Sequence, residues 1–164
     1  MSASRRRRDP VGAAGMIWWE DFRVGNSEEL GAHTFTEEEI VAFARAFDPQ
    51  PIHTDAEAAR AGFYGGLIAS GWHTCAVCMR LMVDGYMNRT QSLGSPGLDH
   101  LRWLKPVRPG DTIRYRRTVL EARPSKSRPE AGLVRHRWEG VNQRGELVVT
   151  MEGWNLFGRR PAGT

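Results

Sequence analysis

Ser70-Gly71-Trp72-His73-Thr74-Cys75-Ala76-Val77-Cys78-Met79-Arg80-Leu81-Met82-Val83-Asp84 is the stretch that decides the architecture. Trp72, Cys75, Ala76, Met79, Met82, Val83 and Tyr86 recur at the spacing of an α-helix, and Gly85 supplies its stop. The apolar positions nearly encircle the segment, which predicts a helix wrapped by other structure. The segments C-terminal to it read as strands. Leu98 to Leu104, Asp111 to Ala122, Leu133 to Asn142 and Leu147 to Phe157 are rich in β-branched and aromatic residues. Arg108-Pro109-Gly110-Asp111, Arg123-Pro124-Ser125 and Asn142-Gln143-Arg144-Gly145 separate them as turns. The economical arrangement is α+β, a single domain in which one curved antiparallel sheet wraps a long central helix.

Upstream, Leu30 to Phe35 reads as a short strand and a helix comes after it. Thr36 and Glu39 form a T-x-x-E capping box, with Glu37 and Glu38 at the positive end of the helix dipole. Ile40, Ala44 and Phe47 mark its apolar face, and Pro49 and Pro51 stop it. A second box, Thr54 and Glu57, opens a short helix that ends near Gly62.

The chain of 164 residues suits one domain, with 40% apolar and 26% charged residues. Residues 1 to 15 lack hydrophobic periodicity and read as a disordered basic arm, with Met16 to about residue 160 as the domain. Met16 is also a candidate natural start. The net charge of +4 is matched by Arg5 to Arg8 alone, and Asp9 is the nearest acid, so the body is almost neutral. That argues against nucleic-acid binding as the main function. No apolar run approaches the ~20 residues needed to span a bilayer, and the basic start lacks the apolar stretch that a signal would require after it. Two cysteines make no disulfide framework, so a reducing cytoplasm is expected. Cys75-x-x-Cys78 has no second pair and falls on one helix face, so it reads as core packing, and no metal is expected.

The chemistry concentrates in Phe47-Asp48-Pro49-Gln50-Pro51-Ile52-His53. Two prolines brace the backbone between a carboxylate and an imidazole. Acid/base work needs such rigid spacing, because both groups must reach one water. A helix-stop loop with a capping Asp and a surface His is the other reading of the same residues. The second element is Gly65-Gly66-Leu67-Ile68-Ala69-Ser70-Gly71-Trp72-His73-Thr74, at the start of the central helix. Free N–H groups there favour negative charge, and Gly71 permits close approach. A plain turn and helix cap is the alternative.

Together the two segments resemble the MaoC-like dehydratases and (R)-specific enoyl-CoA hydratases, whose motif runs D-x-N-P-[LIV]-H-x5-[AS]. Here it reads Asp48-Pro49-Gln50-Pro51-Ile52-His53, with Ala59 in the last place. Leu101-Arg102-Trp103-Leu104-Lys105-Pro106-Val107-Arg108-Pro109-Gly110-Asp111 is similar to the family's L-x-F-x-x-P-V-x-x-G-D. The resemblance spans about residues 17 to 157 and departs at Gln50, where the family has Asn. It implies a hot-dog fold and reversible hydration of a trans-2-enoyl thioester to an (R)-3-hydroxyacyl thioester. It also implies an Asp48/His53 acid/base pair, Gly71 N–H as oxyanion donor and no cofactor beyond the coenzyme A of the substrate. Gln50, Ser70, Trp72, His73, Arg102 and Lys105 are the expected substrate-binding residues. Arg102, Lys105 and Arg108 are placed to meet coenzyme A phosphates, or else form a solvated rim. His73 either lines the acyl pocket or packs. His100 and His136 are strand residues with no visible partner.

The expected partners are an acyl-CoA or acyl-carrier thioester and a second copy of the chain, as homodimer or dimer of dimers, with no membrane. A hot-dog thioesterase is the nearest rival, but its carboxylate often sits on the central helix, and none occurs here before Asp84. A non-catalytic acyl-CoA-binding domain, with Gln50 as its mark, is the other.

Overall fold

The structure, a computed structural model, describes residues 15–163. The expected arm therefore lies outside the described residues except for Gly15. Ile17 already engages the domain, its N–H donating to the Arg89 carbonyl at 2.7 Å.

Five strands, β1 (Ser27–Thr34), β2 (Gly97–Trp103), β3 (Thr112–Pro124), β4 (Ala131–Val141) and β5 (Leu147–Gly158), form one sheet. Their order is β1-β3-β4-β5-β2, with every neighbour antiparallel. The helices α1 (Glu37–Phe47), α2 (Pro51–Thr54), α3 (Ala56–Ala61) and α4 (Gly71–Gly85) lie between β1 and β2 in the chain. This is the hot-dog arrangement, mixed α+β, with α4 against one face of the sheet.

Period-two alternation sets the core face. Ile113, Tyr115, Arg117 and Val119 point inward from β3, Val134, His136, Trp138 and Gly140 from β4, and Val149, Met151, Gly153, Asn155 and Phe157 from β5. The Tyr115 hydroxyl donates to the Thr74 carbonyl at 2.9 Å and ties sheet to helix. Gly140 is required for packing, since a Cβ there would stand 2.8 Å from Val149 and 3.0 Å from Ile113 and Tyr115. Opposite, the outer face carries cross-strand Arg–Glu pairs such as Arg116–Glu139 and Arg137–Glu152.

Several expectations shift. The helix begins at Gly71 rather than Ser70, and Ser70 becomes its N-cap. The Thr54 box does not form. Asp55 caps α3 instead, its Oδ1 accepting from the N–H groups of Glu57 and Ala58 at 3.0 Å, because Thr54 closes the preceding turn onto the Gln50 carbonyl. The central helix is not encircled. Thr74, Cys78 and Met82 are buried, while Trp72 and Met79 are 57% and 49% exposed. The strip beside strand β2 is left uncovered within one chain. Among the described residues, no helix is long and apolar enough to cross a membrane.

Candidate active site

Asp48 comes directly after the last turn of α1, where its N–H closes onto the Ala44 carbonyl at 2.8 Å. Pro49 prevents the helix from continuing, and Pro51 starts α2 at its first position, where a missing N–H costs nothing. The single turn of α2 carries His53 inward, to 5% exposure. The His53 Nε2 then lies 3.3 Å from the Asp48 Oδ2. On the other side of the ring, Nδ1 donates to the Ile68 carbonyl at 2.8 Å. A carbonyl only accepts, so Nδ1 carries a proton and Nε2 is the nitrogen left for chemistry.

Two donors hold the Asp48 carboxylate. Gln50 Nε2 donates to Oδ1 at 2.7 Å, and the Ser70 hydroxyl donates to Oδ2 at 2.7 Å. Those bonds, Gln50 first and then Ser70, with the nearby His53 ring, hold the carboxyl below its usual range. Asp48 is therefore ionised throughout the neutral range and suited to accept a proton. Ser70 makes no side-chain cap to α4 because its hydroxyl is engaged here. The longer Gln50 side chain, at the position where the motif has Asn, reaches the carboxylate directly.

His53, Gly71 and Lys105 line one cavity of about 330 Å³, together with Ile52, Tyr64 and Pro106. Gly71 opens α4, so its N–H is among those a helix leaves unpaired. A family model described as the MaoC like domain matches residues 24–137 of this chain. The chain belongs to the MaoC-like dehydratase family. A solved MaoC-like dehydratase from Rhodospirillum rubrum is 43% identical to it, with a TM-score of 0.81 over 88% of this chain and 99% of the other. The 3-hydroxyacyl-thioester dehydratase Z of Mycobacterium tuberculosis is 38% identical over 56% of this chain, a match that covers 60% of that protein. The uncharacterized protein YdeM of Bacillus subtilis is 28% identical over 81% of this chain and 97% of its own length.

In this MaoC-like domain the expected residues fall into three groups. Asp48, His53, Gln50 and Ser70 meet in one hydrogen-bonded set, with Gln50 and Ser70 on the carboxylate. Gly71 and Lys105 border the cavity, and Lys105 pairs with Glu146 at 3.0 Å. Of the first group only His53 lines that cavity, and Trp72, His73 and Arg102 are not among its lining residues either. His73 packs instead, stacked on Phe43 at 4.6 Å and edge-on to Phe35, with Nε2 3.6 Å from Glu39. Helical spacing explains this: His73 leaves α4 two residues beyond Gly71 and so on another face. Arg102 is exposed on β2, and among the described residues its side chain hydrogen-bonds the Leu101 carbonyl alone. Cys75 and Cys78 are free thiols, and burial pushes Cys78 up to about 12.

Sequence reasoning missed Trp103. A Cβ on Gly71 would stand 2.4 Å from its indole, so the ring lies directly against that glycine and edge-on to Trp72. The signal was available in the strand motif, where Trp103 takes the aromatic position, but its partner is far away in sequence. Tyr64 was missed as well, and Arg108 fixes that loop by donating to the Tyr64 carbonyl at 2.6 Å.

Removing the carboxylate's donors has a defined sign. Gln50→Leu and Ser70→Ala each take away a bond that lowers the Asp48 pKa, so that pKa rises. The acidic limb of the pH–rate profile is expected to move to higher pH in both variants and furthest in the double variant. An unmoved limb would separate these side chains from the ionisation of Asp48.

Proposed function

We propose that this MaoC-like domain catalyses the reversible hydration of a trans-2-enoyl thioester to a 3-hydroxyacyl thioester, of (R) configuration as in the hydratases it resembles. The observation that carries the reading is the opposed pair Asp48 Oδ2 and His53 Nε2, 3.3 Å apart, with His53 and Gly71 lining one cavity. Hydration starts from the form with Asp48 ionised and a proton on His53 Nε2. In hydration, Asp48 takes a proton from the water whose oxygen bonds to Cβ. His53, which orients that water, delivers its Nε2 proton to Cα. Transfer from Asp48 back to His53 restores the pair, and the net change is addition of one water. The Gly71 N–H holds the thioester oxygen while charge develops on it, a contribution on the order of 3 kcal/mol for a well-placed donor. The substrate's coenzyme A or acyl-carrier arm runs out past Lys105 and Arg102, where Arg102 is a cation with no acidic partner among the described residues.

An assay over trans-2-enoyl-CoAs of increasing length tests this, with enone absorbance and free thiol monitored in parallel. Loss of absorbance without thiol release is the expected result. Thiol release would make the protein a thioesterase, and binding without turnover would make it a carrier or assembly domain.

The site also implies a second copy. Trp72, Met79, Leu98, Trp103 and Leu104 are each about half exposed and form an apolar strip along α4 and the open edge of β2. We expect a homodimer or dimer of dimers through this strip, inside a reducing cytoplasm. Light scattering at micromolar concentration should give at least twice the 18.5 kDa chain mass. A monomer would reject the dimer.

A further inference from the structure

Gly71, Cys75, Met79 and Met82 succeed one another at helical spacings of four, four and three along a single stripe of α4. Gly71 belongs to the cavity that His53 lines, and the other three line a second chamber of about 300 Å³ against the sheet. Trp103 lies against Gly71 and reaches the Cys75 thiol, so its indole stands where the two spaces adjoin. The second chamber is apolar on most of its surface, with Met79, Leu98 and Met151 among its walls.

One wall is different. Asn155 lines the chamber from the inward face of β5 and is only 8% exposed. Its Oδ1 accepts from His136 Nδ1 at 3.2 Å. His136 is fully buried, and burial, then the charge of Arg117, pushes its pKa down to about 3. It therefore stays neutral, and with its proton on Nδ1 it holds the amide with Nδ2 turned toward the chamber. The Asn155 Nδ2 has no partner among the described residues. Ser95 presents nothing further, since its hydroxyl already donates to the Trp154 carbonyl at 2.6 Å. An amide donor that loses solvent without gaining an acceptor is costly, and a ligand oxygen removes that cost. A plain alkyl chain filling the chamber would leave the Nδ2 unsatisfied.

We propose that Asn155, held by His136, is a specificity-determining residue that reads an acceptor oxygen on the distal part of the acyl chain. The favoured substrates are then enoyl thioesters whose tail carries a carboxylate, keto or hydroxyl oxygen. This rests on the hydratase reading above and goes beyond it in naming the substrate class. A site built to hydrogen-bond a substrate discriminates strongly against an analogue that lacks the bonding atom.

The test compares trans-2-enoyl-CoAs of matched length, one series with an alkyl tail and one with a terminal carboxylate or ketone. Wild type is expected to favour an oxygenated tail by at least about tenfold in kcat/KM. Asn155→Leu is expected to bring that ratio to one or below. Asn155→Gln keeps an amide and is expected to retain preference for the oxygenated series at an altered tail length. If Asn155→Leu fails to fold, the wild-type ratio and the Gln variant decide the matter. A wild-type preference for alkyl tails, or a ratio unchanged by Asn155→Leu, overturns the proposal. Hydration of alkyl enoyl-CoAs with no oxygen preference leaves the hydratase reading intact and rejects only this inference. Failure to hydrate any enoyl-CoA, crotonyl-CoA included, rejects both.

Discussion

Asp48→Asn and His53→Ala are each expected to lower enoyl-CoA hydratase turnover by at least ~10², the usual scale for a positioned acid or base. The reasons differ between the two. An asparagine in place of Asp48 would keep the Ser70 and Gln50 contacts in outline but has no lone pair basic enough to take a proton from water. An alanine in place of His53 would remove both the Nε2 group and the Nδ1 bond to the Ile68 carbonyl, leaving a buried acceptor unpaired. His53→Ala is therefore expected to cost some stability, and Asp48→Asn little. Turnover and melting temperature measured together separate these effects. Turnover like wild type in either variant removes that residue from the mechanism. Because the two groups act as one unit, the double variant should be scarcely slower than the worse single one.

Acid should destabilise the fold through His136. The side chain is fully buried between β4 and its neighbours, and its folded pKa is pushed down to about 3 from an ordinary 6.5. Above pH 6.5 the ring is neutral in both states and stability does not depend on it. Below 6.5 the unfolded chain takes up a proton that the folded chain refuses. Stability then falls as pH drops from about 6.5 toward about 3, by on the order of 1 kcal/mol per pH unit at the steepest. His136→Gln cannot titrate, so it lacks this dependence. The expected result is a stability gap between wild type and variant that is largest near pH 7 and narrows steadily toward about pH 4. Denaturant midpoints measured across that range would show it, since the carboxylates common to both proteins cancel in the difference. A gap that stays constant would mean the ring takes its proton equally well in both states.

The local part of this architecture was legible because its signals are local. Thr36 caps α1, Pro49 ends it, and the alternation along Ile113, Tyr115, Arg117 and Val119 declares a strand with one buried face. The Asp48/His53 spacing was readable for the same reason, since two prolines leave the intervening backbone few conformations. What escaped depends on partners distant in sequence. No local pattern states that β2 pairs with β5 at the sheet's edge, or that the Ser70 hydroxyl crosses 22 residues to reach Asp48. Nor does one place the Trp103 indole on Gly71. The His136 and Asn155 pair lay between these cases. Val134, His136, Trp138 and Gly140 alternate onto the core face, and a histidine among such neighbours needs a buried partner. Asn155, inward on the adjacent strand, is the residue that supplies it. The over-prediction of apolar coverage around α4 has a physical cause too. Hydrophobic periodicity reports which side chains avoid water, and it does not distinguish cover from the same chain from cover by another.

The two free margins of the sheet are chemically unlike. Both have a register break, at Gly31 in β1 and between Leu98 and His100 in β2, but the outer margin of β1 carries Glu28 and Glu29 where that of β2 carries the half-exposed Leu98 and Trp103. Charge discourages strand addition, and apolar side chains invite it. A contact made through β2 alone must be self-complementary, with each copy presenting the same patch to the other, and such a contact closes on itself. A sheet with two adhesive margins would instead add copies without limit. In a dimer of that kind the acidic margin would act as a terminator, setting a finite size and keeping a protein with this much exposed tryptophan and leucine out of fibrous growth.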